Sequence, residues 1–215
     1  MKKIISLAFT KKGMTIISAL LIGFFVISTV VTYTPIVIVE TQYRYHEFLT
    51  SFFHVNDIRA LIMPQFNFDF VTTKYPTAGM TIPKLYMDEP IIFNVDPQNR
   101  PQYMAALKQG IAQAAGTNLP GYPGLGYYFA HSSSAETVSQ YNAVFYLLGK
   151  LQTGDEVDIW KDGQKNQYVV YDSYVTTPDD LRFLNQTYDH ETIVLQTCWP
   201  PGTTLKRLLV FAKRT

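Results

Sequence analysis

The chain has 215 residues, and 17 Asp and Glu nearly balance its 18 Lys and Arg. A net charge of +1 provides no basic surplus for a nucleic-acid partner, so none is expected. The single cysteine excludes a disulfide within the chain and a cysteine-rich zinc site. Only 16% of the residues are charged, against about a quarter in ordinary soluble domains, which indicates a segment that is not soluble.

The shortage of charge is greatest near the N-terminus. No charged residue occurs between Lys12 and Glu40, and this run exceeds the roughly 20 apolar residues that cross a bilayer as a helix. The alternatives are a buried core helix and a cleaved signal peptide, whose apolar region is shorter, about 7–15 residues. Because lysines precede the run, we expect residues 1–12 in the cytoplasm, residues 13–39 in the membrane, and the rest of the chain outside.

Residues 40–75 have mixed polarity and loose helical spacing up to Pro64. This pattern predicts a stem, with a short amphipathic helix near the headgroups or against the following domain. The two histidines of the stem, His46 and His54, are eight residues apart, whereas a metal pair would want a closer spacing and a carboxylate companion, so surface histidines are expected there.

Short strands and turns are predicted from residue 76 onward. Pro83 and Pro90 argue against a regular central strand or helix over residues 81–94, so two short extended pieces are expected. Residues 101–115 fit a helix that begins with a proline and has an apolar face.

The remaining elements complete a mainly β pattern. They are a buried strand over residues 127–131, a helix over 134–151, a hairpin around Lys161-Asp162-Gly163, and two final strands over 192–198 and 206–212. Because strands dominate and the helices are few, the residues predict either a closed barrel or a sandwich.

Three side chains are candidates for chemistry. Cys198 ends a predicted strand, and an unpaired thiol on the oxidising side of a membrane needs a reason beyond packing. His131 ends another predicted strand and could act as a general acid or base. Arg207 lies nine residues after Cys198, on the next predicted strand, so antiparallel pairing would bring the two side by side.

Taken singly, each candidate has an ordinary structural explanation, but together they fit acyl transfer. A thiol attacks a carbonyl as the thiolate, which a neighbouring cation favours. A guanidinium can bind the oxyanion of the tetrahedral intermediate through its fixed fork of donors. An imidazole can give a proton to the leaving amine near neutral pH.

The C-terminal segment VLQTCWPPGTTLKRLLVFAKR resembles the signature of the sortase family, Thr-Leu-x-Thr-Cys followed by a loop and Arg-Leu-Val-Val. The matching positions hold Leu195, Thr197, Cys198 and Arg207, and Val194 stands in place of the first threonine. Other segments resemble the family in the same order along the chain: IPKLYMDEPII, LKQGI, LPGYPGLGYYFAHSSS and FYLLGKLQTGDEVDIW. The resemblance covers residues 81–215, nearly all of the predicted outer domain over residues 76–215.

This resemblance implies an eight-stranded sortase-type β-barrel and a cysteine transpeptidase. By motif match, Cys198 would be the nucleophile, His131 the general acid/base, and Arg207 the oxyanion-binding or substrate-positioning residue. The substrates would be secreted proteins with a C-terminal signal similar to Leu-Pro-x-Thr-Gly. They would be joined to an amine of a peptidoglycan precursor or a pilin lysine. No cofactor is expected, and calcium dependence is left open.

Three residues depart from the family pattern or could modify it. Ala130 replaces a glycine that often precedes the histidine, and Gln113 replaces a histidine that often follows the Gly-Val segment. Neither carries the reaction. Trp199, directly after the nucleophile, adds bulk at the mouth of the site and could reshape substrate access. The short loop over residues 199–206 is similar to that of housekeeping-like or class D/E members.

A non-enzymatic alternative remains open at this stage. The chain could be a membrane-tethered β-barrel binding module in which the single cysteine is inert. Thiol labelling distinguishes the two, because an activated cysteine reacts quickly near neutral pH and a buried one does not.

Overall fold

The computed structural model of the chain describes residues 11–52, 73–132 and 144–215. The chain divides into two compact units, residues 1–42 and 43–215, which are taken separately here. Helix α1 (Lys11–Phe52) forms most of the first unit, and the second contains the β-strands.

Helix α1 contains the long uncharged run of the sequence. Its segment Lys12–Val31 is 20 residues long, apolar, and unburied, so its length and composition fit a single-pass membrane anchor. The predicted stem begins as a continuation of α1 to Phe52 and not as a separate short helix. His54 and the predicted stop at Pro64 lie outside the residues that the structure describes.

The second unit is a closed eight-stranded barrel, which confirms the expected fold. Its elements are β1 (Ala78–Ile82), β2 (Met87–Val95), α2 (Arg100–Leu107), β3 (Ile111–Ala114), β4 (Leu125–Phe129), β5 (Glu156–Lys161), β6 (Gln164–Thr176), β7 (Thr192–Trp199) and β8 (Lys206–Arg214). The strand order around the barrel is β1-β2-β3-β4-β7-β8-β6-β5. Neighbouring strands are antiparallel except for the parallel pairs β2/β3 and β4/β7.

The predicted helix over residues 101–115 is too long. Helix α2 starts with Asn99 as its N-cap, whose side chain accepts from the backbone N–H of Gln102, and it ends at Leu107. The chain then passes Gly110, where a Cβ would lie 2.3 Å from the carbonyl oxygen of Pro90. This close approach requires glycine and lets the next residues join the barrel as β3.

The expectation that Pro90 would interrupt the extended region is also wrong, because Pro90 lies inside β2. Its register partner on β1 is Gly79, whereas pairing with β3 begins only at Ile91. Pro90 therefore lies where one side of β2 has no ladder neighbour, so its missing N–H is tolerated.

The predicted helix over residues 134–151 lies largely outside the described residues. Its described end, residues 144–151, consists of a turn and a short 3-10 helix (Leu148–Lys150). The predicted hairpin is confirmed. Asp162 and Gly163, with φ values of 51° and 80°, form the two-residue turn between β5 and β6.

Asp158 on β5 is a carboxylate whose side chain has no solvent exposure. Lys165 on β6 places its Nζ 2.7 Å from Oδ2 of Asp158 and 3.2 Å from Oε1 of Glu156. Burial nevertheless raises the pKa of Asp158 to about 6, because removal from water disfavours the charged form. The carboxylate therefore costs stability at neutral pH.

We expect Asp158→Asn to stabilise the protein relative to wild type at pH 8 but not at pH 4. The unfolded Asp ionises near its ordinary pKa, so wild-type stability falls as pH rises through the interval up to about 6. The variant lacks this pH-dependent loss of stability. The loss amounts to about 3 kcal/mol at most for a difference of two units between the folded and unfolded pKa. Thermal unfolding at both pH values measures the change, and Glu156→Gln on the same lysine is the control. A pH-independent difference between Asp158→Asn and wild type would contradict the expectation.

Candidate active site

Side chains on β7 alternate between the two faces of the barrel wall. Ile193, Leu195 and Thr197 lie on one face, and Val194, Gln196 and Cys198 on the other. The connection between β6 and β7 packs Phe183 against the second face, which is therefore the outer face.

The strand register arranges this outer face in three rows. The first row contains Ala114, Tyr127, Val194 and Phe211; the second contains Ala112, Phe129, Gln196, Leu209 and Tyr174; the third contains Cys198, Arg207 and Thr176. The first row and part of the second are buried under the β6–β7 connection, whereas the residues of the third row are half-buried.

The third row, hereafter the catalytic row after its candidate residues, contains Cys198 and Arg207 on paired strands and extends towards His131, which lies just beyond the end of β4. Cys198 and Arg207 are direct partners in the β7/β8 pair, as the sequence predicted. The last β4/β7 pair joins Phe129 to Gln196, and the same register continued by two residues aligns His131 with Cys198. The free thiol of Cys198 is half-buried, as are the other two side chains.

Arg207 is held beside the cysteine by its own loop. Its Nη1 donates to the carbonyl oxygens of Thr204 at 3.1 Å and Lys206 at 3.0 Å. Both acceptors are neutral, so these bonds fix the orientation of the guanidinium without cancelling its positive charge.

The main chain around His131 is anchored on both sides. The N–H of Ala130 donates to the carbonyl of Gln196 at 3.2 Å, and the carbonyl of Ala130 accepts from the Thr197 hydroxyl at 3.0 Å. The carbonyl of His131 accepts from the N–H of Phe145 at 3.0 Å. His131 therefore follows directly on from a pair of cross-strand hydrogen bonds to β7.

Aromatic rings fill the outer face below the catalytic row. The ring of Phe183 is fully buried, with its centroid 5.3 Å from that of Tyr127 and 6.4 Å from that of Phe211. Burial raises the pKa of Tyr127, whereas the positive charge of Arg207 opposes this rise and Cys198 adds to it. The Tyr127 phenol thus lies within electrostatic reach of two members of the catalytic row.

The β6–β7 connection is also tied to the end of the catalytic row. Asp180 accepts from the hydroxyl of Thr176 at 2.6 Å and from Nε and Nη2 of Arg182 at 2.8 Å each. The hydrogen bonds from Arg182 hold the pKa of this carboxyl well below its usual range. The connection is therefore fixed next to the partner of Arg207 in β6.

Trp199 does not lie in the mouth of the site. It follows Cys198 on the same strand, so its side chain lies on the opposite face. A Cβ added to Gly149 would lie 2.8 Å from Cζ3 of the Trp199 ring, so the ring covers the 3-10 helix at that glycine. The expectation that Trp199 reshapes substrate access is wrong because strand alternation turns it away.

Gln113 is a structural residue whose role the sequence did not reveal. It is buried, and its Oε1 accepts from the N–H of Asn94 at 2.8 Å. Its Nε2 donates to the carbonyl of Ala114 at 2.7 Å and to the hydroxyl of Thr117 at 2.8 Å. The Thr117 oxygen in turn accepts from the N–H of Tyr127, so Gln113 fixes the start of β4. The sequence signal that could have indicated this role was a polar residue within a predicted buried strand.

Within residues 11–52, 73–132 and 144–215, no group of three or more His, Cys, Asp or Glu side chains is placed to hold a metal ion.

Comparison with known proteins agrees with this fold. The family model of the sortase domain matches residues 80–215. Similar solved structures include sortase C-1 from Actinomyces oris, with 27% identity, a TM-score of 0.55, and coverage of 65% of this chain and 74% of that one. A lid mutant of sortase A from Corynebacterium diphtheriae has 26% identity and a TM-score of 0.55, covering 65% and 70%. A pilus-related sortase C of Group B Streptococcus has 26% identity and a TM-score of 0.54, covering 67% and 69%.

No curated protein matches the chain. The family match extends over more than half of the 215 residues, and the chain belongs to the sortase family. It is accordingly a cysteine transpeptidase.

Proposed function

We propose that this sortase cleaves a C-terminal signal similar to Leu-Pro-x-Thr-Gly in secreted proteins and transfers the new carboxyl end to an amine. The observation that supports the proposal is the catalytic row, in which Cys198 is paired with Arg207 and the β4/β7 register, extended by two residues, leads to His131. Acyl transfer requires a proton for the leaving amine, which His131 would supply, and a positive charge for the oxyanion, which Arg207 would supply.

In the first half-reaction, Sγ of Cys198 attacks the threonine carbonyl carbon of the signal. The carbonyl oxygen becomes an oxyanion, which the guanidinium of Arg207 stabilises. When the intermediate collapses, the C–N bond to glycine breaks and the leaving amine takes a proton from His131. A thioester on Cys198 remains, and the glycine end departs.

In the second half-reaction, an acceptor amine attacks the thioester. His131 takes a proton from the attacking nitrogen, the new amide forms, and Cys198 leaves as the thiolate. The acceptor is an amine of a peptidoglycan precursor or a lysine of a pilin. The similarity to a pilus-related sortase C supports the lysine, and the short loop between β7 and β8 is compatible with either.

The substrate class and the acceptors imply a site outside the cell. The apolar segment Lys12–Val31 would anchor the chain in the membrane with the preceding lysines in the cytoplasm. The catalytic barrel would then meet secreted proteins as they emerge, and its boundaries would be those predicted from the sequence, with residues 40–75 as stem and 76–215 as catalytic domain.

The test is mass spectrometry of the full-length chain in detergent, incubated with a library of peptides similar to Leu-Pro-x-Thr-Gly. We expect wild type to gain the mass of a peptide cleaved after threonine, attached at Cys198, and to lose it when an amine acceptor is added. Because the chain has one cysteine, the adduct has one assignment. A folded sample that forms no adduct with any peptide would contradict the proposed substrate class.

Arg207→Lys tests the role of the guanidinium. Lysine keeps the charge but lacks the planar fork of donors, so we expect kcat/KM for peptide cleavage to fall about tenfold or more. Lys206→Arg, at the exposed neighbouring position, is the matched control and should retain wild-type rates. If kcat/KM of Arg207→Lys equals that of wild type, Arg207 has a structural role and does not act through its fork of donors.

A further inference from the structure

The end of the β4/β7 pair is held by a side chain next to the catalytic row. Strand β4 ends at Phe129, and its last register partner is Gln196. One further backbone bond follows, from the N–H of Ala130 to the carbonyl of Gln196. The next link is the hydroxyl of Thr197, which donates to the carbonyl of Ala130 at 3.0 Å.

Thr197 cannot touch a substrate bound over the catalytic row. Alternation along β7 turns its side chain to the face opposite Cys198, and the residue is only 2% exposed. A buried hydroxyl that makes a hydrogen bond fixes the groups it joins, because breaking the bond leaves a buried carbonyl unsatisfied.

The two residues that this hydrogen bond joins each precede a candidate catalytic residue. Ala130 is followed by His131, and Thr197 is followed by Cys198. The bond fixes the plane of the peptide group that leads into His131 relative to β7. On the other side of His131, its carbonyl accepts from Phe145, a residue outside the barrel strands.

We propose that Thr197 is a positioning residue that sets the placement of His131 against Cys198 from behind the sheet. This inference rests on the proposed function, in which the imidazole and the thiol act on the same reacting carbon. Loss of the hydroxyl frees the Ala130 carbonyl to turn and moves the imidazole away from the attacking sulfur. A displacement of about 1 Å at a reacting group can cost about a hundredfold in rate.

The test compares Thr197→Val, which removes the donor while keeping the branched shape, with Thr197→Ser, which keeps the hydroxyl. The matched control is Thr192→Val. Thr192 lies on the same strand, is equally buried, and donates its hydroxyl to the carbonyl of His190 at 3.2 Å, six residues before Cys198. All variants are made in the full-length chain and assayed in detergent with a peptide that wild type cleaves.

We expect Thr197→Val to lower kcat about 10–100-fold with KM changed less than about twofold, because the hydroxyl affects the reacting groups and not the substrate surface. Thr197→Ser should restore kcat to within about threefold of wild type. Thr192→Val should keep wild-type kcat even where its melting temperature falls as far as that of Thr197→Val. A kcat loss that both valine variants share would instead reflect lost stability and overturn the proposal.

A second readout needs no substrate. The rate of alkylation of the single cysteine by iodoacetamide, followed across pH, reports the surroundings of Cys198 alone. Because a displaced imidazole alters the electrostatic field at the thiol, Thr197→Val should change this pH profile, whereas Thr197→Ser and Thr192→Val should not. A folded Thr197→Val with the wild-type profile and wild-type kcat would overturn the proposal.

Two further outcomes are separated by this design. If Thr197→Val does not fold, Thr197→Ala lacks the same donor and is compared with Thr197→Ser by the same two measurements. If wild type cleaves no peptide, the proposed function fails, while the alkylation profiles still decide whether Thr197 sets the surroundings of Cys198.

Discussion

Cys198→Ala should reduce cleavage of a sorting-signal peptide to the uncatalysed level, a loss of at least about a thousandfold. Without the sulfur no thioester forms, and water in the same groove lacks the covalent route that divides the reaction into two easier steps. The variant should also show no peptide adduct by mass spectrometry. Cleavage is followed by chromatography of the released glycine-containing fragment.

To separate an effect on catalysis from an effect on folding, the melting temperature of Cys198→Ala is compared with that of wild type. Cys198 is half-buried at the end of β7, and removal of one sulfur there leaves the buried Ile193 and Leu195 in place. Cys198→Ser provides the matched comparison, because it keeps the size and polarity but is a much weaker nucleophile. Substantial cleavage by folded Cys198→Ala would remove the cysteine from the reaction.

The local part of the site was predictable from sequence. Two strand patterns joined by a seven-residue, proline-containing link indicated an antiparallel pair, and the nine-residue spacing put Cys198 and Arg207 side by side. Such a short link between two recognised strands leaves few alternative pairing registers. The type I′ turn at Asp162 and Gly163 was predictable for the same reason.

The position of His131 could not be derived from local patterns. Its alignment with Cys198 depends on a parallel pair between β4 and β7, whose partners are 67 residues apart and separated by β5 and β6. Parallel pairing is set by how the whole barrel closes, and no single segment encodes it. The resemblance to sortases, and not the periodicity of the sequence, indicated that His131 belongs with Cys198.

The predictions from sequence were wrong where tertiary contacts override the local preference for a secondary structure. Residues 111–114 continue an apolar helical pattern, but the tight approach of Gly110 to Pro90 turns the chain into the barrel as β3. Trp199 was assigned to the mouth of the site from its position beside the nucleophile, although side-chain alternation along a strand already places neighbours on opposite faces. That second error was avoidable from the predicted strand alone.

His131→Gln should lower kcat for the amide substrate about 10²–10⁴-fold, because glutamine approximates the size of histidine but cannot exchange a proton near neutral pH. Both half-reactions of the proposed mechanism pass a proton through this position. The dependence of kcat/KM on pH should also change, because glutamine does not ionise. Steady-state kinetics across pH measure both effects, and His190→Gln, an exposed histidine in the β6–β7 connection, is the control.

The leaving group separates acid catalysis from a structural role for His131. A peptide in which an aryl ester replaces the threonine–glycine amide expels a stable anion that needs no proton. If His131 protonates the leaving amine, His131→Gln should lose far less activity on the ester than on the amide, since thiol attack and oxyanion binding by Arg207 remain. Equal losses on both substrates would mean that His131 serves the thiol or the fold. Another group would then have to protonate the leaving amine.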